Sequence, residues 1–90
     1  MKENIRIVVT QNDITTGEKK SCNSCPIANS LKRQFKNAKI KVTPIYVKVD
    51  NTIYSVNKTT TDFIYNFDTG ENTKPFITNL TLSKVNLCTL

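Results

Sequence analysis

Two cysteines in a C-x-x-C spacing are the most reactive side chains in this 90-residue sequence. Cys22 and Cys25 lie in the run Ser-Cys-Asn-Ser-Cys, and Pro26 after them is typical of the first turn of a helix. A thiol at a helix N-terminus has a lowered pKa, which suits disulfide redox chemistry. Thioredoxin-like sites follow a strand directly, however, whereas a long polar stretch separates Thr10 from Cys22 here.

The same spacing is also that of a zinc knuckle. Cys88 would add a third thiolate to Cys22 and Cys25, and a carboxylate, a water or a partner subunit would have to complete the Zn²⁺ site. Cys88 reaches the other two easily only if the last strand runs parallel to the first. A third interpretation, which we favour, is structural, with Cys25 buried beneath the helix and Cys22 an exposed thiol.

Other catalytic arrangements find little support in the composition. The sequence contains no histidine, which removes Ser-His and Cys-His nucleophile pairs, and its two glycines cannot form a phosphate-binding loop. Asp62 and Asp68 are too far apart along a helix to act as a catalytic pair. We therefore expect a binding protein and not an enzyme.

Positive charge is concentrated in one segment. The net charge is +6, and from Lys19 to Val49 the chain carries eight basic residues and no acidic one. The outer face of a helix and of the strand after it would present most of them as one surface. The candidate partner-binding residues on this surface are Lys32, Arg33, Lys36, Lys39, Lys41 and Lys48.

This basic segment predicts contact with phosphates or with an acidic protein surface. Seven of its eight basic residues are lysines, and base-edge recognition relies on arginine, so any nucleic-acid contact would be independent of sequence. Tyr46 and Tyr54 are candidates for stacking on bases. The alternative is a solvated surface without a function, which lysine-rich sequences readily form.

Hydrophobic periodicity predicts the elements that position these residues. The chain reads as one α+β domain over residues 1–90 in the order β-α-β-β-α-β, a mainly antiparallel sheet with two helices on one face, either ferredoxin-like or a looser variant. A bulge or an edge is expected at Pro44, where the apolar phase changes. The predicted elements are a strand at Asn4–Thr10, a helix from Ser24 to Lys36, a strand at Lys39–Asp50, its hairpin partner at Ile53–Val56, a helix at Thr59–Asp68 and a strand at Phe76–Leu82.

The opening Met-Lys-Glu-Asn-Ile-Arg contains no apolar stretch, so we expect no secretory signal. No apolar run approaches the roughly 20 residues that span a bilayer. We therefore expect a cytoplasmic protein, in reduced surroundings, that does not associate with membranes.

Several motifs together resemble a group of short, mostly uncharacterised bacteriophage and mobile-element proteins. The shared pattern is Asp-Ile-x-x-Gly, then Ser-Cys-x-x-Cys-Pro-Ile-Ala-x-x-Leu-x-Arg, then Phe-Ile-x-x-Phe-Asp-x-Gly and finally Pro-Phe-x-x-x-Leu. These motifs fall at residues 13–17, 21–33, 63–70 and 75–80. The resemblance implies a phage or mobile-element origin, and small proteins of this kind are often inhibitors of host defence, notably anti-CRISPR proteins.

The resemblance and the basic segment together lead to one expected function and two alternatives. The expectation is a non-catalytic inhibitor of a host defence complex, such as an RNA-guided nuclease, acting in the cytoplasm of the infected bacterium. The first alternative is a phage accessory protein that binds nucleic acid regardless of sequence. The second is a thiol-redox protein that uses Cys22 and Cys25.

Overall fold

The computed structural model describes residues 3–83 and contains five strands and three helices within them. All neighbouring strands are antiparallel, and the order across the sheet is β1-β5-β4-β3-β2. Along the chain the elements are β1 (Asn4–Val9), α1 (Gln11–Thr16), α2 (Pro26–Gln34), β2 (Ile40–Val42), β3 (Tyr46–Val49), β4 (Thr52–Ser55), α3 (Lys58–Asp68) and β5 (Phe76–Leu82).

Alternation of side chains gives the sheet one buried and one solvent-facing side. In β1, for example, Ile5, Ile7 and Val9 are buried while the residues between them are exposed. Helix α2 contacts both edge strands, β1 and β2, so the sheet curls around it. Helix α3 covers the same buried side, where the Phe63 ring stacks on Phe76 with centroids 4.5 Å apart.

The two sheet edges are closed by the segment that contains α2. At the β1 edge, Arg33 Nη2 donates to the Val8 carbonyl at 2.8 Å and Gln34 Nε2 donates to the Arg6 carbonyl at 2.6 Å. At the β2 edge, the Val42 N–H donates to the Cys22 carbonyl at 2.6 Å. Exposed strand edges invite pairing with other chains, and these bonds occupy part of each edge.

A partly buried polar network fixes the start of α3. The Asn57 side-chain oxygen caps the helix by accepting the Thr60 N–H at 2.9 Å, and it also accepts the Thr60 hydroxyl at 2.9 Å. Asn57 Nδ2 donates to Thr78 Oγ1 of β5 at 3.0 Å. The network therefore ties the helix to the sheet through groups that would be costly to bury unpaired.

The predicted α+β class and antiparallel sheet are confirmed, but the ferredoxin-like arrangement is not. A split β-α-β unit would place β1 inside the sheet, whereas β1 here lies at the edge of the sheet that residues 3–83 form and pairs within it with β5. The predicted strand at Phe76–Leu82 is confirmed at both ends. Gly70 follows α3 with a φ of +85°, a left-handed conformation that favours glycine after the C-terminus of a helix.

Two parts of the predicted element order are wrong. The single strand at Lys39–Asp50 is a hairpin, because a turn at Pro44 reverses the chain between β2 and β3. The Thr43 hydroxyl holds this turn by accepting the N–H groups of Ile45 and Tyr46 at 3.2 and 2.9 Å. The second error is at α1, because the sequence predicts a polar loop there and not a helix. The helix is short and is stabilised by its capping box, so it shows no apolar stripe in the sequence.

Within residues 3–83, no helix has the length and apolar character needed to span a bilayer. The longest, α3, has 11 residues, and a membrane-spanning helix needs about 20.

Candidate functional site

Three of the predicted partner-binding lysines lie around one shallow groove on the β2–β3 hairpin. Lys41 and Lys48 are direct cross-strand partners, and Lys39 precedes β2 on the same groove. Directly opposed residues of this kind have Cβ atoms about 5 Å apart. We call this groove, lined by Lys39, Ile40, Lys41, Lys48, Asp50 and Asn51, the lysine groove.

Strand alternation explains why these lysines face outwards. Ile40 and Val42 on β2 turn inwards to the core, so Lys41 between them must face solvent. Asp50 enters the groove from the β3–β4 turn, where its φ is +53°. Its carboxylate accepts the Lys39 N–H at 3.0 Å, so one acid accompanies three lysines and the groove remains positively charged.

Lys32 and Lys36, two further residues of the predicted surface, do not line the lysine groove. Both are exposed, Lys32 in the last turn of α2 and Lys36 just after it. Positive charge there also complements the helix dipole. Among the described residues, neither these two lysines nor those of the lysine groove form a salt bridge.

Arg33, also predicted to bind a partner, is engaged within the fold. Its guanidinium forms a salt bridge with Asp13 of α1, with Nη1 2.5 Å from Oδ1, and bonds the Val8 carbonyl as well. The Arg33 side chain is 49% exposed and that of Asp13 only 4%. Arg33 therefore neutralises a buried carboxylate and contributes less free positive charge than the neighbouring lysines.

Asp13 is held as a charged group by several donors. It accepts the Thr10 N–H at 2.9 Å, while the Thr10 hydroxyl accepts the Asp13 N–H at 3.2 Å in a capping box. Burial acts to raise the pKa of Asp13, but the Arg33 and Thr10 hydrogen bonds outweigh it and lower that pKa below its usual value. Sequence inspection missed this pair, although the Thr10-x-x-Asp13 spacing is a capping signal.

The two cysteines adopt the arrangement of the structural interpretation. Cys22 is exposed and Cys25 is buried, and both are free thiols. Cys25 is the N-cap of α2, where its Sγ accepts the Ala28 N–H at 3.5 Å. Burial nevertheless raises the pKa of Cys25, with Asp68 adding a smaller push in the same direction. A raised pKa disfavours the thiolate that redox chemistry needs.

The zinc hypothesis gains no support from the described residues. Within them, no group of three or more potential ligands is placed to hold a metal ion. Cys88, the proposed third ligand, lies outside the described residues. Strand β5 is antiparallel to β1 and ends at the end of the sheet opposite to Cys22, whose carbonyl accepts the N–H of the last β2 residue. Cys22 and Cys25 therefore remain unsupported as a metal site.

The two tyrosines predicted to stack on bases are placed differently. Tyr54 is buried in the core, and its burial raises the pKa of its phenol. Tyr46 is half-buried on the solvent-facing side of β3. A stacking surface built from both rings is therefore absent, which weakens the nucleic-acid alternative.

The sequence analysis also missed an apolar pair: Val8 and Ile77 are direct cross-strand partners on the outer side of β1 and β5. Both break the polar half of the strand pattern, and this signal was available in the runs Ile-Val-Val and Phe-Ile.

No protein-family model matches the chain, and no curated protein or solved structure shows significant similarity to it.

Proposed function

We propose that this chain is a non-catalytic binding protein that inhibits a host defence complex, such as an RNA-guided nuclease, through its lysine groove. The observation that carries the proposal is the direct cross-strand pairing of Lys41 with Lys48. Two like charges in this position repel each other and destabilise the sheet. An acidic partner surface removes that repulsion on binding, so the arrangement suits a partner and does not favour the isolated fold.

The likeness to phage proteins supports a defence complex as the target. The phage and mobile-element proteins that this chain resembles are small, and small phage inhibitors of host defence act by occupying a site on an effector. A basic inhibitor would contact an acidic surface of the nuclease that holds or positions nucleic acid, and would block DNA loading or a conformational step. Electrostatic complementarity of this type also accelerates association.

The test is protection of a targeted phage in bacteria that carry an RNA-guided nuclease. We expect the chain to raise plaque numbers and the Lys41→Glu/Lys48→Glu variant to lose at least tenfold of that protection. This variant keeps two like charges opposed, so its stability should match the parent. Lys19→Glu/Lys32→Glu is the control, since it makes the same change in net charge at two exposed lysines that lie outside the lysine groove and form no salt bridge among the described residues.

Nucleic-acid binding is measured in parallel as a function of salt. The proposal expects no binding of DNA or RNA below about 10 μM at physiological salt. Tight binding with a steep negative salt dependence would instead identify the phage accessory protein. Absence of protection against every nuclease type tested, with a folded parent chain, would refute the inhibitor.

A further inference from the structure

A second surface lies at the opposite edge of the sheet from the lysine groove. Its centre is the pair Val8 and Ile77, which are direct cross-strand partners and are 41% and 55% exposed. The groove around them has a volume of about 570 Å³. We call it the Val8–Ile77 groove, and it is lined by Val8, Val9, Thr10, Gln11, Pro75, Phe76 and Ile77.

Two exposed cationic side chains, Arg6 and Lys74, lie next to this groove in the chain. Arg6 lies two residues before Val8 on the same face of β1 and is exposed. Lys74 is exposed and immediately precedes Pro75. The Arg33 guanidinium also bonds the Val8 carbonyl at 2.8 Å, but its charge is largely neutralised by Asp13. Acidic groups nearby are already paired. Asp13 binds Arg33, and Asp62, which lies on an adjoining groove that shares Pro75, binds Lys58 at 2.8 Å.

We propose that the Val8–Ile77 groove docks an acidic segment of a partner protein by receiving one of its aromatic or large aliphatic side chains. The apolar floor excludes water around the inserted side chain, and the bordering cations attract the flanking carboxylates. The proposal is independent of the lysine groove, because the two surfaces share no residue.

The segment binds through its side chains and not as an added strand. Strand addition requires free backbone groups along a sheet edge. On β1 the carbonyls of Arg6 and Val8 already accept bonds from Gln34 and Arg33, so a sixth strand would have to displace both.

Nucleic acid and a second copy of the chain fit the groove less well. Bases bind single-stranded nucleic-acid sites by stacking on open aromatic faces, but Phe76 is half-buried and its ring is stacked on Phe63. A second copy would bring a net charge of +6 towards a border that is itself positive.

The test is titration of the ¹⁵N-labelled full chain with defined peptides, followed by NMR. The first probe has one phenylalanine flanked on each side by glutamates, and we expect it to shift the amides of Val8, Gln11 and Ile77. Replacing its phenylalanine with alanine should weaken binding about tenfold, because the free energy gained by burying about half of a large apolar side chain corresponds to roughly that change in affinity. Replacing its glutamates with lysines should abolish binding.

Matched variants of the chain separate the groove from general charge attraction. Ile77→Ser should weaken binding of the phenylalanine peptide about tenfold. Ile45→Ser, which alters another exposed isoleucine outside the groove, should leave that binding unchanged. Lys41→Glu/Lys48→Glu should still bind it, which distinguishes this proposal from the proposed function.

Several results would overturn the proposal. Equal affinity for the phenylalanine and alanine peptides would mean that the groove receives no side chain. Shifts of the same amides on simple concentration of the protein would identify self-association, and a stronger response to single-stranded DNA would identify a nucleic-acid surface. Absence of any shift at these amides would also refute it.

Discussion

Replacing Arg33 with methionine tests whether this residue serves the fold, as its contacts indicate. The variant Arg33→Met keeps the length of the side chain but leaves the Asp13 carboxylate, 4% exposed, without its guanidinium. It also removes the bond to the Val8 carbonyl at the β1 edge. We therefore expect a loss of stability and not only a change in surface charge.

The size of the loss follows from the burial of the two partners. Breaking a fully buried ion pair costs about 3–5 kcal/mol, because one charge remains buried and uncompensated. The Arg33 side chain is 49% exposed, so solvent already screens this pair in the folded state. We expect a decrease of about 2 kcal/mol in the free energy of unfolding, and a Tm lower by roughly 10 °C.

Urea unfolding at neutral pH provides the measurement, with Lys32→Met as the control because Lys32 is exposed on the same turn and unpaired among the described residues. In an Asp13→Asn background, Arg33→Met should cost about 1 kcal/mol less than in the parent, since no carboxylate is left unpaired. If Arg33→Met and Lys32→Met unfold at the same urea concentration, the stabilising role assigned to Arg33 is contradicted.

The pH dependence of the same pair has a definite sign. The folded-state pKa of Asp13 is lowered, so its charged form contributes stability above the unfolded pKa of about 3.9. That contribution is lost as the pH falls through the lower folded value. The stability difference between the parent and Arg33→Met should therefore be largest near neutrality and shrink at acid pH. A difference that grows on acidification would contradict this assignment.

Three further predictions concern other parts of the molecule. Asn57→Ala should lower the free energy of unfolding by about 1–2 kcal/mol in urea, because α3 loses its cap and the buried Thr78 hydroxyl loses one of its hydrogen-bond partners; unchanged stability would contradict the network. Lys41→Glu should raise the free energy of unfolding by about 0.5 kcal/mol at low salt and by less at high salt, since it turns the repulsion from Lys48 into attraction. A decrease in that free energy would contradict the register. Cys25 should react with a thiol reagent only on unfolding, as followed by mass spectrometry, and rapid labelling of the native protein would contradict its burial.

Local patterns account for most of the elements and for the orientation of the lysines. Alternation alone places Lys41 outwards between Ile40 and Val42, and the strand Phe76–Leu82 was predicted at both ends. The sequence predicts a bulge or an edge at Pro44 and not a turn, because a change of apolar phase looks the same in the sequence whether a strand bends or reverses. In the structure, the hydrogen bonds from the Ile45 and Tyr46 N–H groups to the Thr43 hydroxyl stabilise the reversing turn.

By itself, the sequence determined the α+β class, the clustering of positive charge and the absence of histidine chemistry, since composition and short-range periodicity do not depend on distant contacts. Only the tertiary structure decided that β1 lies at an edge, that Arg33 binds Asp13 and that Val8 meets Ile77. The physical reason is that each of these features joins residues far apart in the chain. Such pairings are chosen by the collective packing of the core and by the need to satisfy buried polar groups, and no local pattern encodes them.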